Sequence, residues 1–252
     1  MNSFKTYIRH YHLFVIMPFL LLSCQKERLN NCFTSTGNEI IEERYFSDFQ
    51  DIYLESRMEV ELVQDTFYKV EIIGGENILS GIKVRKDENE LRLSSNNSCN
   101  FLRDLSKDVL VKISSPKFKR IENNSGGNIF SKKTITADTL DLIINSSGNI
   151  TLFTDAQHIF VRMENIGDVE LNGKVIVSEI YNNGNGFYKA ENLQSAFTYI
   201  TTNSTGDSFL NAEIEMGYKI AGVGNIFYRG TNNFLFKEIK EGYKVGSFYR
   251  LD

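Results

Sequence analysis

The chain has 252 residues, 28 Lys+Arg against 32 Asp+Glu, 41% hydrophobic residues, 18 Gly, 2 Pro, 3 Cys and 3 His. This composition excludes a disordered or collagen-like chain. The net charge is −4, or −6 once residues 1–23 with Lys5 and Arg9 are set aside, so the long-range attraction to phosphates that nucleic-acid binding requires is absent. Asn occurs 25 times, 16 of them after residue 120. Asn tolerates left-handed backbone and disfavours helix, which points to an all-β chain rich in turns.

Residues 1–12 carry Lys5, Arg9, His10 and His12, and an apolar run from Leu13 to Leu22 follows. The layout predicts a secretory signal peptide over residues 1–23, because the run is far shorter than the ~20 apolar residues of a spanning helix. Its end, Leu21-Leu22-Ser23-Cys24, resembles the lipobox of bacterial lipoproteins, which implies cleavage before Cys24 and acylation of its thiol. Two or more acyl chains anchor firmly, at about 0.8 kcal/mol per buried CH₂. Gln25-Lys26-Glu27 is similar to the export tag of some Gram-negative surface lipoproteins. Residues 24–38 then read as a polar tether from the lipid to the folded part. Cys32 and Cys99 form a candidate disulfide, since an even pair in an oxidising compartment favours pairing; a reactive thiol or metal ligand is the alternative.

Residues 39–121 form the expected N-terminal β module. Met58–Leu62, Tyr68–Ile72, Glu90–Leu93 and Val109–Ile113 alternate apolar and polar residues with period two, the pattern of strands covered on one face. Gly74-Gly75, Ser80-Gly81 and Asp87-Glu88-Asn89 separate them as turns.

Residues 122–252 repeat. Gly127, Gly148, Gly167, Gly186, Gly206, Gly224 and Gly246 recur at spacings of 21, 19, 19, 20, 18 and 22, and most are followed by Asn or Asp. The expectation is a corner in which glycine takes a positive φ and the Asn or Asp bonds local backbone. The second and fourth positions after each glycine are mostly apolar (Ile129, Ile150, Val169, Tyr188, Ile226; Leu152, Leu171, Leu210) and should point inward. The first and third (Asn128, Asn149, Asp168; Thr151, Glu170, Lys189) should point outward. A further strand per coil is expected around Leu140–Ile144, Ile159–Met163 and Val175–Val177. Phe187 and Ser208 break the columns, and Arg250 marks a frayed or capping end. Coils of about 20 residues stacked at about 4.8 Å predict a single-stranded parallel β-helix, right-handed by the general chirality of crossovers.

The Gly-Asn-Ile corners, the phrase Gly75-Glu76-Asn77-Ile78-Leu79, the strand leading to Pro116 and Ile121, and the lipobox together resemble the bacterial family described as putative auto-transporter adhesin, head GIN domain. The resemblance covers residues 39–250. It implies a β-solenoid lipoprotein at the surface or in the periplasm, and it supplies no catalytic residues to carry over.

Chemistry is sparse. His158 is the only histidine after the signal segment, which excludes two-histidine metal centres, and it is expected in a turn between strands. No phosphate loop and no nucleophile elbow are present, and Gly184-Asn185-Gly186 reads as a corner. Glu164, Asp168 and Glu170 gather near one corner, either as a solvated turn or as calcium ligands or an acid pair. Phe209, Phe227 and Tyr249 occupy the third column of the last three units; they form either an outward ligand platform or a ladder packed under the segment Phe234-Leu235-Phe236. The resulting expectation is a non-enzymatic, lipid-anchored outer-membrane protein, displayed at the surface or facing the periplasm. It uses no metal or cofactor, holds the membrane through its lipid, and binds a glycan or surface protein. A carbohydrate-active β-helix enzyme and a structural envelope component are the alternatives.

Overall fold

The computed structural model describes residues 36–97, 109–240 and 245–251. Cys24, Cys32 and Cys99 lie outside the described residues, so the lipidation and disulfide expectations are not addressed by the fold. The chain is all-β, 63% strand, stacked as a parallel solenoid of about seven turns about 19 residues apart.

Three long strands define the coil: β9 (Ile129–Ile144), β10 (Ile150–Met163) and β11 (Val169–Asn182). Each runs through both predicted strands of its unit and bends between them, so one coil contributes to two faces, here called the corner sheet and the broad sheet. They pair in parallel, with Ile150 opposite Ile129 and Val169, and Val161 opposite Leu142 and Ile180. Later coils divide the same path into separate strands. β12 (Tyr188–Lys189), β14 (Ser208–Ala212), β16 (Ile226–Gly230) and β18 (Phe248–Arg250) continue the corner sheet. β13 (Leu193–Thr202), β15 (Glu215–Ile220) and β17 (Phe234–Ile239) continue the broad sheet.

The inward columns fall where period-two alternation places them. Ile129, Ile150, Val169, Tyr188, Ser208 and Ile226 are all buried, and Leu142, Val161, Ile180, Ile200 and Tyr218 face them from the broad sheet. Each buried Ile or Leu contributes about 1.5–3 kcal/mol, so the column is the main source of stability. The irregular positions stay in the column. Tyr188 and Ser208 are direct neighbours in it, both fully buried, and the register continues unbroken. The Tyr188 hydroxyl lies 3.4 Å from Ser178 Oγ, and burial pushes its phenol above the ordinary value.

The corner differs from the expectation in its cause. None of the seven repeat glycines has a positive φ; among the described glycines only Gly37, Gly173 and Gly230 do. Glycine is required by close stacking instead. A Cβ on Gly148 would be driven into the carbonyl oxygen of Gly127, one on Gly167 into that of Gly148, and so on through Gly186, Gly206, Gly224 and Gly246, while Gly127 rests on Met58. The Asn and Asp side chains also bond between coils rather than within a turn. Asn128 Oδ1 accepts the Asn149 N–H at 3.1 Å, Asn149 Oδ1 that of Asp168 at 2.9 Å, and Asp168 Oδ1 that of Phe187 at 2.8 Å. The ladder resumes from Asp207 to Asn225 (2.7 Å) and from Asn225 to Ser247 (3.0 Å). Phe187 offers no acceptor, so it is the one break. Buried Asn123 and Asn182 do close their own turns, donating to Gly127 and Gly186 carbonyls.

The N-terminal strands join the same stack. β2 (Asp51–Leu54) pairs in parallel with β8 (Arg120–Asn123), and β3 (Glu59–Gln64) with the start of β9. Beyond them, β6 (Glu90–Ser95) pairs with β2 and β7 (Leu110–Ser115) with β3. Antiparallel partners finish this end: β5 (Ile82–Asp87) on β6, and β4 (Lys69–Gly75) between β7 and β1 (Glu39–Arg44). One buried apolar cluster runs from Phe49 to Tyr228 through both regions.

Candidate recognition surfaces

Phe209, Phe227 and Tyr249 stand opposite one another on β14, β16 and β18. Parallel in-register pairing puts one ring above the next, and they stack with centroids 5.1 and 5.3 Å apart at interplanar angles of 13° and 20°. Phe209 and Phe227 are half-buried, and Tyr249 is 48% exposed. The segment Phe234–Phe236 does not cover them. It belongs to β17 on the broad sheet, where Phe234 packs on Tyr218, Tyr228 and Phe248 and Phe236 stacks on Tyr199. The ladder therefore faces outward without a cover among the described residues. Next in the file is Lys189, which pairs with Asp168 at 2.8 Å and lies over the Phe187 ring.

The acidic corner is not assembled into a site. Asp168 is committed to Phe187 N and Lys189, Glu164 accepts from Asn183, and Glu170 accepts from Asn172. No group of three ligating side chains suited to a metal ion occurs among the described residues.

His158 was expected in a turn and lies within β10, because the strand runs straight through the stretch Ala156–Gln157. Its Nε2 is 3.0 Å from Glu179 Oε1 on the next coil, and its ring stacks on Phe160 at 4.2 Å. This contact belongs to a second outward surface that pattern reading did not single out. On the broad sheet Asp141, Phe160, Glu179, Tyr199, Gly217 and Phe236 succeed one another in register over β9, β10, β11, β13, β15 and β17. A parallel file carries Arg162, Tyr181 and Thr201. Between them lies a groove of about 260 Å³. The Tyr199 hydroxyl donates to Glu215 at 2.6 Å, and this bond, with burial, pushes the phenol up to about 12. The available signal was the alternation of Phe160, Arg162 and of Glu179, Tyr181 on the polar positions of strands otherwise read only for their cores.

The fold and these surfaces define a parallel β-solenoid with a repeated, self-complementary corner and aromatic outward files. The family model described as "Putative auto-transporter adhesin, head GIN domain" matches residues 48–232, and the chain belongs to that family. Similar solved structures include a putative adhesin from Bacteroides fragilis NCTC 9343, 24% identical with a TM-score of 0.78, covering 85% of this chain and 97% of that one. A putative adhesin from Parabacteroides merdae ATCC 43184 is 16% identical with a TM-score of 0.58, over 86% and 98% of the two chains. A putative lipid binding protein from Parabacteroides distasonis ATCC 8503 is 16% identical with a TM-score of 0.60, also over 86% and 98%. At these identities the likeness is one of fold. No curated protein matches the chain.

Proposed function

We propose that this protein is a non-enzymatic adhesin of a Gram-negative cell envelope, anchored to the outer membrane by lipid on Cys24 and displayed at the surface, where it binds a glycan or a protein partner. The observation that carries the reading is the uncovered three-ring ladder of Phe209, Phe227 and Tyr249. An outward aromatic file held by in-register strands is a rigid contact surface, and exposed apolar patches of this kind mark binding sites. Membership of an adhesin-described family supports it. The anchor rests on Leu21-Leu22-Ser23-Cys24, and no described helix is long and apolar enough to cross a membrane.

A glycan-array screen of residues 25–252 with Phe227→Ala alongside tests the surface, and fatty-acid labelling of full-length chain with and without Cys24→Ser tests the anchor. The expected result is binding by the parent chain that falls about tenfold or more in Phe227→Ala, equivalent to roughly 1.4 kcal/mol. Binding unchanged in a folded Phe227→Ala variant removes the ladder as the site, and label retained on Cys24→Ser removes the lipid anchor.

A further inference from the structure

We propose that the groove centred on Glu179 of the broad sheet is a binding site for a neutral sugar residue of a glycan. It lies on the other sheet of the coil from the Phe209–Phe227–Tyr249 ladder. It rests on the adhesin reading only in that both expect an external ligand.

The argument starts from what a stacked file does when nothing interrupts it. In the corner sheet, rings on successive coils close up to about the strand spacing, with centroids 5.1 and 5.3 Å apart. On the broad sheet the rings part around Glu179. Phe160, one coil below it, turns aside to stack on His158 at 4.2 Å. Tyr199, one coil above it, is drawn up the stack, donating to Glu215 on the next coil and stacking with Phe236 at 6.2 Å and 18°. That second stack spans two coils and forms only because Gly217 stands between them; a Cβ there would strike the Phe236 ring. Two residues without aromatic bulk, Glu179 and Gly217, thus alternate with three rings. The Gly217 gap is closed by stacking and the Glu179 gap is left open. The opening, about 260 Å³, suits roughly one or two sugar rings rather than a larger cofactor.

Its polar groups are held ready and unspent. Glu179 is oriented through one oxygen by His158 at 3.0 Å, and its other oxygen accepts no hydrogen bond from the described residues. Arg162 lines the same groove. In the register files of this sheet Arg92, Arg120 and Lys219 are each ion-paired, to Glu55 and Glu90, to Glu122, and to Glu238. Arg162 has no such partner among the described residues, although Glu179 and Asp141 are near in register. The Tyr181 ring beside it is 46% exposed and the Phe160 ring 37%. A carboxylate and a guanidinium together satisfy adjacent hydroxyl groups, one accepting and one donating, while exposed ring faces take up the C–H face of a pyranose. The opposed charges of Glu179 and Arg162, with Asp141 adding a second acid, favour a neutral sugar over a sulfated or carboxylated one.

The test uses the full-length chain in detergent micelles on an array bearing neutral hexose- and N-acetylhexosamine-terminated glycans together with sialylated and sulfated ones. The variants are Arg162→Ala, Tyr181→Ala and Phe227→Ala, each checked for the parent far-UV circular dichroism and melting temperature. Arg162 and Tyr181 point out of the sheet, so their truncation leaves the core intact. The expected result is at least one neutral glycan, different from any whose binding depends on Phe227, whose binding falls tenfold or more in both Arg162→Ala and Tyr181→Ala and is retained in Phe227→Ala. If every glycan bound by the parent chain is instead lost in Phe227→Ala and retained in the two groove variants, this proposal is overturned and the ladder is left as the site. Binding confined to acidic glycans, or none by a folded parent chain, overturns it as well.

Discussion

The corner and the broad sheet are made by the same coils and are constrained in opposite ways. At the corner each coil is the template for the next: Gly148 lies against Gly127, Gly167 against Gly148, and Asn149 accepts from Asp168 as Asn128 accepts from Asn149. A change in one coil is felt by its neighbours, so the chemistry repeats. On the broad sheet only the inward residues are fixed, Leu142, Val161, Ile180, Ile200 and Tyr218. The outward file beside them passes from Asp141 to Phe160, Glu179, Tyr199, Gly217 and Phe236 without repeating. The corner is constrained on both its inward and outward positions, whereas the broad sheet is constrained only on its inward ones.

That contrast is broken most sharply at a corner glycine. Gly167→Ala should lower unfolding stability by about 3 kcal/mol or prevent folding, because the methyl group meets backbone on the coil below rather than a movable side chain. Denaturant unfolding followed by circular dichroism measures it, and a loss below 1 kcal/mol would show that the coils can spread. The side-chain ladder should give a smaller effect. Asn149→Ala removes the acceptor of the Asp168 N–H and should cost about 1 kcal/mol, whereas Phe187→Asn supplies the missing rung and should stabilise by about half as much. Unchanged stability in both substitutions would mean the ladder carries no net stability. At neutral pH the smallest effect belongs to the broad sheet, where it appears only as the pH is raised. The Tyr199 phenol is pushed up to about 12 by its bond to Glu215, from an ordinary value of 10.0. The folded chain therefore holds this proton more tightly than the unfolded chain, so the contribution is intact below about pH 10 and is lost as pH rises toward 12. Tyr199→Phe should flatten the decline of stability between these values, and an unchanged slope would show that the Glu215 bond does not bias the titration.

The same contrast decides what the amino-acid order disclosed. Repetition is readable, so the seven glycines, the buried columns and the two strands per coil followed from spacing and alternation alone. Their physical cause did not, because a glycine needed for positive φ and one needed for close stacking look identical in a linear sequence, and only the distance to the coil below separates them. His158 was misplaced for a related reason: Ala156-Gln157-His158 has no strong strand pattern, yet its backbone is held in β10 by the coils on either side. The ladder of Phe209, Phe227 and Tyr249 was legible because it shares the glycine register. The groove was not, since Phe160, Arg162, Glu179 and Tyr181 sit far from the corners and converge only through coil stacking.

The order of layers at the N-terminal end has a bearing on how the chain can be shortened and assembled. Moving down the stack, β8 with β9 is followed by β2 with β3 and then by β6 with β7, so the earliest of these segments in the chain is the middle one in space. Beyond residue 129 each coil needs only its predecessor, but Asp51 must meet both Glu90 and Arg120 before its layer is closed. Winding from the N-terminus is thus impossible for this part, and the long-range closures make it the slow portion of assembly. A deletion of residues 51–64 would not trim the solenoid from its end. It would withdraw an interior floor, leaving Gly127 without Met58 beneath it and two stacks with no common layer.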